Sequence, residues 1–314
     1  MNIIYKTSDI NETDLLNTLK LWNDEKGSIY PITKKAYYQN VINYFDKDVI
    51  IAFDENMNKI VGFLILKRYD NKELVDYTNS LFISLFFVSR KYRRNGIGTK
   101  LLEFALSKRN GRKLVIGKDI YNFFPGVPTD FDNLTDVWLE KRGFTGYRYT
   151  HDLISYNAIS YPLKNEDVIY EYCKENRKEE LINFMLKNKW GRWALEVEEY
   201  FNKKTLKDEN SFIIGLKNNK IISFVKVNTS NMDMVPYNVM FQNRFEKLGG
   251  IGPLGVDGDE RKSGLGVDIV SVAITKLKEK NVKEMIIDWT GLLELYSKFG
   301  FEVWKSYKYM EMNA

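Results

Sequence analysis

The stretch "RKSGLG" (Arg261–Gly266) has an earlier counterpart in "RRNGIG" (Arg93–Gly98). In both places an apolar run precedes the glycine pattern, and a helical pattern follows it. The apolar runs are "LFISLFFV" (Leu81–Val88) and "GGIGPLGV" (Gly249–Val256), both of strand length. Because a whole strand–turn–helix unit recurs, the sequence indicates two copies of one domain.

The elements around the glycine patterns repeat in the same order. Each half contains a strand, a polar turn and a strand, in Asp48–Leu66 and in Ser211–Val227. The helix that follows each glycine pattern is amphipathic, and a further strand and a Gly-Phe pair come after it. The predicted apolar faces are Leu101, Leu102, Ala105 and Leu106 in the first helix, and Ile269, Val270, Ala273 and Leu277 in the second. We predict an α/β protein with two tandem domains, 1–157 and 158–314, joined near Tyr156–Asn165, each a mixed, mostly antiparallel sheet flanked by helices.

Composition excludes several classes of function. The 314 residues carry 47 Lys and Arg against 42 Asp and Glu, interspersed along the chain, so no basic stripe suggests a nucleic-acid surface. Cys173 and His151 are the only residues of their types, which disfavours a disulfide framework, a Cys/His zinc site and a Ser-His-Asp triad. The polar N-terminus and the lack of long apolar runs predict a cytoplasmic protein that binds no membrane, and the scarcity of Cys and His predicts that it binds no metal.

The glycine pattern itself favours an anion. A glycine turn at a helix N-terminus exposes backbone N–H groups, and these groups attract phosphate together with the helix dipole. Arg261 and Lys262, or Arg93 and Arg94, add positive charge. The pattern lacks the Lys-Ser/Thr of a Walker loop and the third glycine of a Rossmann fingerprint. Phosphate binding and a plain turn are therefore both compatible with the pattern alone.

The order strand, Arg-x-x-Gly-x-Gly, helix, strand, "LYSKFGF" (Leu295–Phe301) resembles the Gcn5-related N-acetyltransferase (GNAT) family. The resemblance implies acetyl-CoA as co-substrate, with its pyrophosphate at the turn and its pantetheine arm along the preceding strand. It also implies that the strand starting at Met285 splays away and leaves a slot for the thioester and an amine. The implied cofactor-binding residues are Leu254, Gly255, Val256, Arg261, Lys262, Ser263, Gly264, Leu265 and Gly266, with Phe87, Val88, Arg93, Arg94, Asn95, Gly96, Ile97 and Gly98 in the first half.

Acetyl transfer to an amine needs a base for the ammonium and a proton donor for the leaving thiolate. Asp288, which ends the strand "EMIID", is the candidate base, with a helix cap as the alternative role. Tyr296, four residues before Gly300, is the candidate acid by family resemblance, with a core aromatic as the alternative. The corresponding first-half residues are Gly117 and Leu139, so the first half is predicted to be catalytically inactive.

The first half also carries an aromatic insertion. "IYNFFPGVPTDF" (Ile120–Phe131) contains Phe124 and falls near the position of the lost active-site mouth. Two interpretations stay open for this stiff apolar loop. It either plugs an unused cleft or packs against the other half, or it forms a wall of the substrate cavity through Phe124.

The acceptor site is predicted in the second half. "KWGRWALEVEEYF" (Lys189–Phe201) offers Trp190 and Trp193 for stacking on a sugar and Glu196 for hydroxyls or an ammonium, and Trp289 lies beside the candidate base. Packing of the tryptophans in a core is the alternative. The layout resembles bacterial glucosamine/glucosaminide N-acetyltransferases, which implies salvage of cell-wall amino sugars. A mycothiol-precursor-like, polyamine or peptide acceptor, or a non-catalytic acyl-CoA-binding module, stays open, as does a monomer or homodimer.

Overall fold

The chain divides into two compact units in a computed structural model that describes residues 2–132, 134–205 and 210–314. Unit 1 comprises Met1–Thr150 together with Lys305–Ala314, and unit 2 comprises His151–Trp304. The last ten residues of the chain therefore belong to the first unit, and the domain bounds 1–157 and 158–314 stay a prediction. Within the described ranges, no helix combines the length and apolar character that crossing a bilayer requires.

Strands and helices follow one another in similar order in the two units. The strands are β1 (Ile3–Lys6), β2 (Lys47–Asp54), β3 (Lys59–Lys67), β4 (Ser80–Val88), β5 (Lys113–Ile116), β6 (Val127–Pro128), β7 (Thr145–Ser155), β8 (Ile169–Tyr172), β9 (Phe212–Lys217), β10 (Lys220–Thr229), β11 (Leu248–Val256), β12 (Glu284–Thr290) and β13 (Glu302–Met312). The α-helices are α1 (Glu12–Lys26), α2 (Lys34–Tyr37), α3 (Val75–Thr78), α4 (Ile97–Ser107), α5 (Thr135–Glu140), α6 (Lys178–Lys187), α7 (Gly191–Lys203), α8 (Leu265–Glu279) and α9 (Leu293–Ser297).

The sheet of unit 1 has the strand order β1-β2-β3-β4-β5, and β5 also pairs with the end of β13. Only β4 and β5 among these five neighbours run parallel. Leu101, Leu102 and Ala105 of α4 pack into the core, which Met310 of β13 joins. Leu106, predicted on the same face, is 37% exposed, because it lies about 140° around the helix from Leu101.

The sheet of unit 2 has the order β12-β11-β10-β9-β8, with residues 151–155 of β7 pairing along β12. Here β11 and β12 are the parallel pair. The predicted apolar face of α8 is buried in the core, as the helical spacing of its apolar residues indicated. Helices α6 and α7 pack on a second apolar cluster that includes Phe212 and Phe224 of the sheet.

In each unit the pairing of the two parallel strands stops before the longer strand ends, and in unit 1 it stops where β5 itself ends. Their pairing ends at Ile251 and Ile287 in unit 2, and at Ile83 and Ile116 in unit 1. In β11 the parting coincides with a bulge, because two residues after Ile251 lie opposite the single residue Lys226 of β10. The free edge of the longer strand can pair with an extended ligand, and the gap between the strands gives that ligand a place to end.

Candidate active site

The glycine turn of unit 2 presents an uncapped helix N-terminus. Gly264 begins α8 with a φ of +95°, a left-handed conformation that glycine adopts without strain, and no side chain caps the helix there. Arg261 and Lys262 are exposed beside the turn, whereas Leu265 points into the core. A Cβ atom placed on Gly266 would have no atom within 4 Å, so the space above the turn is free. A helix N-terminus with free space above it has the geometry to accept an anion.

The strand that leads to this turn, β11, passes close beneath the side chain of Trp190. Leu254 and Val256 are partly buried and pair with β10. A Cβ atom on Gly255 would lie 2.5 Å from the indole of Trp190, so only glycine fits beneath that ring. The predicted residues of unit 2 therefore form a continuous path from the parted edge of β11 to the helix N-terminus.

Asp288 lies on β12, one residue beyond the last pair with β11. It is partly buried, and its Oδ1 accepts a hydrogen bond from Asn238 Nδ2 at 3.0 Å. Burial, followed by the charge of Asp152, raises the pKa of Asp288 to about 7; the Asn238 bond opposes this rise, and Glu196 adds to it. A carboxylate with such a pKa can accept a proton from an amine near neutral pH.

Asp152 of β7 supports the turn of chain after Asp288. It is 2% exposed, and its Oδ1 accepts the backbone N–H of Trp289 at 3.0 Å while its Oδ2 accepts the hydroxyl of Tyr237 at 3.0 Å. Trp289 has a φ of +48°, which is unfavourable for a bulky residue, at a point where the register between β12 and β7 shifts. Asp152 thus holds a strained backbone position next to the candidate base.

Tyr296 of α9 is 3% exposed and belongs to the core cluster of unit 2. Burial, followed by the charge of Asp288, raises the pKa of its phenol, so the hydroxyl stays protonated and can donate. Asp288 does not cap α9, because the N-cap residue of that helix is Leu292 and no side chain caps it. The proposed base and acid thus differ from the corresponding residues of unit 1, Gly117 and the buried Leu139.

One side of this site is formed by α7. The Arg192 guanidinium lies over the Trp289 ring, 4.7 Å from its centre, and Arg192 Nε lies 3.6 Å from Glu196 Oε1. Sequence reasoning named Trp289 and Glu196 but missed Arg192, although its i, i+4 spacing from Glu196 was a readable signal. A guanidinium therefore joins a carboxylate and an indole here, and the charge of Glu196 acts on Asp288.

Trp190 and Trp193 lie against the apolar cluster beneath α6 and α7. Their rings are 5.2 Å apart, and each lies within 6 Å of the ring of Phe224, at 5.9 and 5.8 Å. Both side chains are partly buried there, as expected for core packing. Stacking of either indole on a sugar stays a prediction.

The glycine turn of unit 1 lines a cavity of about 710 Å³. Its walls include Phe87, Val88, Arg93, Arg94, Gly96 and Gly98 from the predicted set, together with Trp138 and Arg142. Asn95 and Ile97 contribute differently, because the Asn95 amide donates to the carbonyls of Tyr92 and Arg93 and Ile97 is 1% exposed in the core. Arg93 is also held by Asp132, with Nη1 2.9 Å from Oδ2.

The parting of β4 and β5 in unit 1 is filled by protein. Gly117 has a φ of +64°, and a side chain there would overlap the Phe124 carbonyl. The Phe124 ring is 6% exposed and lies 5.5 Å from that of Trp22 and 5.2 Å from that of Tyr30. Phe124 thus packs among aromatic side chains of unit 1, and both interpretations of the loop stay predictions.

A buried ion pair lies at the same place in unit 1. Lys67 Nζ donates to Asp119 Oδ2 at 2.8 Å, and the Ser84 hydroxyl donates to the same oxygen at 2.8 Å. Burial lowers the pKa of Lys67 in spite of Asp119. Across the described parts of both units, no group of three or more His, Cys, Asp or Glu side chains could hold a metal ion.

Two segments of the chain match the family model described as "Acetyltransferase (GNAT) family", at residues 15–116 and 172–301. Together they make up well over half of the sequence, and each contains one of the two glycine turns. No curated protein matches the sequence significantly.

Solved structures resemble the whole described chain. A glucosamine N-acetyltransferase region of a fungal multi-domain GH3 β-N-acetylglucosaminidase has a TM-score of 0.85 at 24% identity, covering 99% of this chain but only 38% of that one. A GCN5-related N-acetyltransferase from Sphaerobacter thermophilus has a TM-score of 0.69 at 11% identity, covering 98% and 95%. A tandem GNAT protein from the clavulanic acid biosynthesis pathway has a TM-score of 0.67 at 12% identity, covering 99% and 98%.

Proposed function

The chain belongs to the GNAT family of acetyltransferases, and from this premise we propose that its second unit acetylates a small amine, with Asp288 as base and Tyr296 as acid. The observation that carries the proposal is the position of Asp288. It stands where β11 and β12 part, and its raised pKa of about 7 suits proton transfer. Tyr296 lies close enough for the Asp288 charge to act on it, and its hydroxyl is a protonated donor.

Acetyl-CoA, the co-substrate of the family, supplies the acetyl group. The free edge of β11 at Leu254 and Val256 and the cradle at Gly264 and Gly266 fit its extended arm and its pyrophosphate. Asp288 takes the proton that the acceptor nitrogen must lose before it can attack. Tyr296 gives its proton to the sulfur that leaves. Unit 2 therefore supplies both the base and the proton donor that the reaction needs.

We propose an amino sugar as the acceptor, free glucosamine or a short glucosaminide, in the salvage of cell-wall sugars in the cytoplasm. Three features support it. Arg192 and Glu196 can bond to hydroxyl groups, and the face of the Trp289 ring opposite Arg192 is the flat apolar surface proposed for the sugar. The fungal region that shares the fold is named as a glucosamine N-acetyltransferase. A small amine of another class, or acyl-CoA binding without turnover, is the competing function.

The acceptor is tested with a panel of amines. We expect acetyl-CoA-dependent thiol release with glucosamine or its short β-linked oligomers, and little with spermidine, a lysine peptide or a cysteine-bearing glycoside. Trp289→Ala should raise KM for the sugar by about tenfold, or about 1.4 kcal/mol of lost binding, and leave KM for acetyl-CoA unchanged. Turnover on the polyamine or peptide alone would overturn the acceptor, and no thiol release with any amine would overturn the enzyme.

We propose that unit 1 keeps a CoA site without chemistry, on the support of its 710 Å³ cavity lined by the glycine turn and arginines. Gly98→Ala and Gly266→Ala form a matched pair, because neither added methyl group meets protein closer than 3.5 Å. Gly266→Ala should raise KM for acetyl-CoA at least about tenfold, because the methyl group crowds the pyrophosphate. Gly98→Ala should leave turnover unchanged and lower the stoichiometry of CoA in calorimetry. Equal losses of turnover from both variants would contradict this division of roles.

A further inference from the structure

A short chain of side-chain amides ends on the candidate base. Asn228 of β10 is fully buried, and its Nδ2 donates to Asn238 Oδ1 at 3.0 Å and to the Gly252 carbonyl at 3.1 Å. Asn238 Nδ2 in turn donates to Asp288 Oδ1 at 3.0 Å and to the same carbonyl at 3.3 Å. Asn238 is 4% exposed, so its amide has exchanged water for these three partners.

The orientation of the Asn238 amide follows from its neighbours. Asn228 offers an N–H group on one side, so the Asn238 oxygen must face it. On the other side stand the Asp288 carboxylate and the Gly252 carbonyl, both of which can only accept while Asp288 is ionised. Reversing the amide would set oxygen against oxygen on both of those partners. The amide is therefore a fixed donor aimed at the carboxylate.

The strand β11 is built to leave room for this contact. A Cβ atom on Gly250 would overlap the Asn238 amide, and one on Gly252 would lie 3.0 Å from Asp288 Oδ1. Gly252 has a φ of +133°, a backbone conformation that residues with a side chain rarely adopt. Two glycines of "GGIGPLG" are thus explained by the space that Asn238 and Asp288 occupy.

Unit 1 has the same strand register, but a bulky residue stands at the position of Gly250. Phe82 and Gly250 both lie one residue before the last parallel pair of their units, and they pair with Lys67 and Asn228 respectively. Phe82 carries a buried aromatic ring at the register position that is glycine in unit 2, and this ring lies 5.3 Å from that of Tyr77. The unit with Gly117 at the position of the base therefore also lacks the glycine that leaves room for the amide.

The charged groups around Asp288 determine how much a hydrogen-bond donor affects its ionisation. The charged or titratable side chains that act on it are Asp152 from β7, Glu196 from α7 and Tyr296 from α9. The two carboxylates repel a negative charge on Asp288, and Asn238 supplies a side-chain hydrogen bond that favours it. We propose that Asn238 is a positioning residue for the reaction, whose amide fixes the Asp288 carboxylate in the gap between the parted strands and favours its ionised, proton-accepting form.

This inference rests on the proposed function. Its test measures the titration of Asp288 in the absence of turnover and, separately, the kcat/KM of the reaction. In Asn238→Ala the midpoint of Asp288 in a carboxyl NMR titration of the folded protein should rise by about 1–2 pH units, as expected for loss of a charge-assisted bond. The kcat/KM at pH 7 should fall by about 10–100-fold, with much of it recovered at pH 9. Asn238→Asp, which keeps the shape but not the donor, should shift the profile at least as far.

A double-mutant comparison separates positioning from general damage. In an Asp288→Asn background, Asn238→Ala should lower the residual kcat/KM by less than about twofold, because its effect passes through Asp288. Undiminished stabilisation of each variant by acetyl-CoA would show that the fold and the cofactor site persist. An unshifted titration, or an equal loss in both backgrounds, would overturn the inference even if Asp288→Asn alone abolished turnover. Full turnover of Asp288→Asn together with a shifted titration would instead overturn the proposed base and leave the amide contact standing.

Discussion

Asp288→Asn is expected to lower kcat at pH 8 by about 10²–10⁴-fold, the usual contribution of a positioned general base. The asparagine keeps the size of the side chain and can still accept the bond from Asn238, which in the native protein spans 3.0 Å. It cannot take a proton. Thiol release over pH 6 to pH 9 measures the effect, and the native profile should rise through the Asp288 pKa of about 7. A variant with native turnover would contradict the role of Asp288.

Tyr296→Phe is the matched control for the proton path. It removes one buried hydroxyl and leaves Asp288 in place, so the rising limb of the pH profile should persist at a lower plateau. If both variants lost the rising limb, the limb would report a change of fold or of the substrate, and not the ionisation of Asp288. Both variants should still bind acetyl-CoA, which a rise of their melting temperature on addition of acetyl-CoA would show.

The same Asp288→Asn variant should be more stable than the native protein at pH 8. The pKa of Asp288 is raised from an ordinary value of 3.8 to about 7, so the folded state binds its proton more tightly than the unfolded state. Ionisation therefore destabilises the fold as pH rises from about 4 to about 7, and the loss is complete above pH 7. Removing the charge should recover about 2–4 kcal/mol at pH 8. Denaturant unfolding should show this gain fading as pH falls towards 4; a constant difference would contradict the assignment.

The sequence revealed features whose cause is local. The turn at Gly264 is decided within a few residues, by a left-handed glycine and the start of α8. The recurrence of the pattern at Gly96 made it possible to compare the halves, and that comparison singled out Asp288 against Gly117. Amphipathic spacing was enough to place the buried face of α8.

Residues that act through tertiary contact were beyond sequence reasoning. Asn238 lies 50 residues before Asp288, on a short 3-10 turn with no periodicity, and Asp152 lies 137 residues before Trp289. Alternation along β13 does not say which strand it pairs with. Its end pairs with β5, and Lys305 contacts Asp130, so the strand from Lys305 onwards belongs to the first unit.

Asp119→Asn is expected to lower the free energy of unfolding by about 3–5 kcal/mol, because it leaves the Lys67 ammonium buried without its counter-ion. Lys67 and Asp119 are both fully buried, and their charged atoms are 2.8 Å apart. Burial already lowers the pKa of Lys67 with the carboxylate present, so the neutral amide should make the charged form still less favourable. Denaturant unfolding of the whole chain, followed by a signal from unit 1 such as the buried Trp22, measures the loss.

An apolar replacement of the whole cluster is the control. Lys67→Met, Asp119→Leu and Ser84→Ala together remove both charges and the hydroxyl that bonds to Asp119, so no buried charge is left alone. This triple variant should lie within about 1 kcal/mol of the native protein or above it. If it were as unstable as Asp119→Asn, shape and not charge would explain the cost. If instead it matches the native protein, and turnover persists below the melting temperature, the ion pair is a dispensable filling of the gap. In unit 2 the corresponding gap holds Asn228, Asn238 and the base, and replacing those groups by apolar ones should preserve the fold while removing the chemistry.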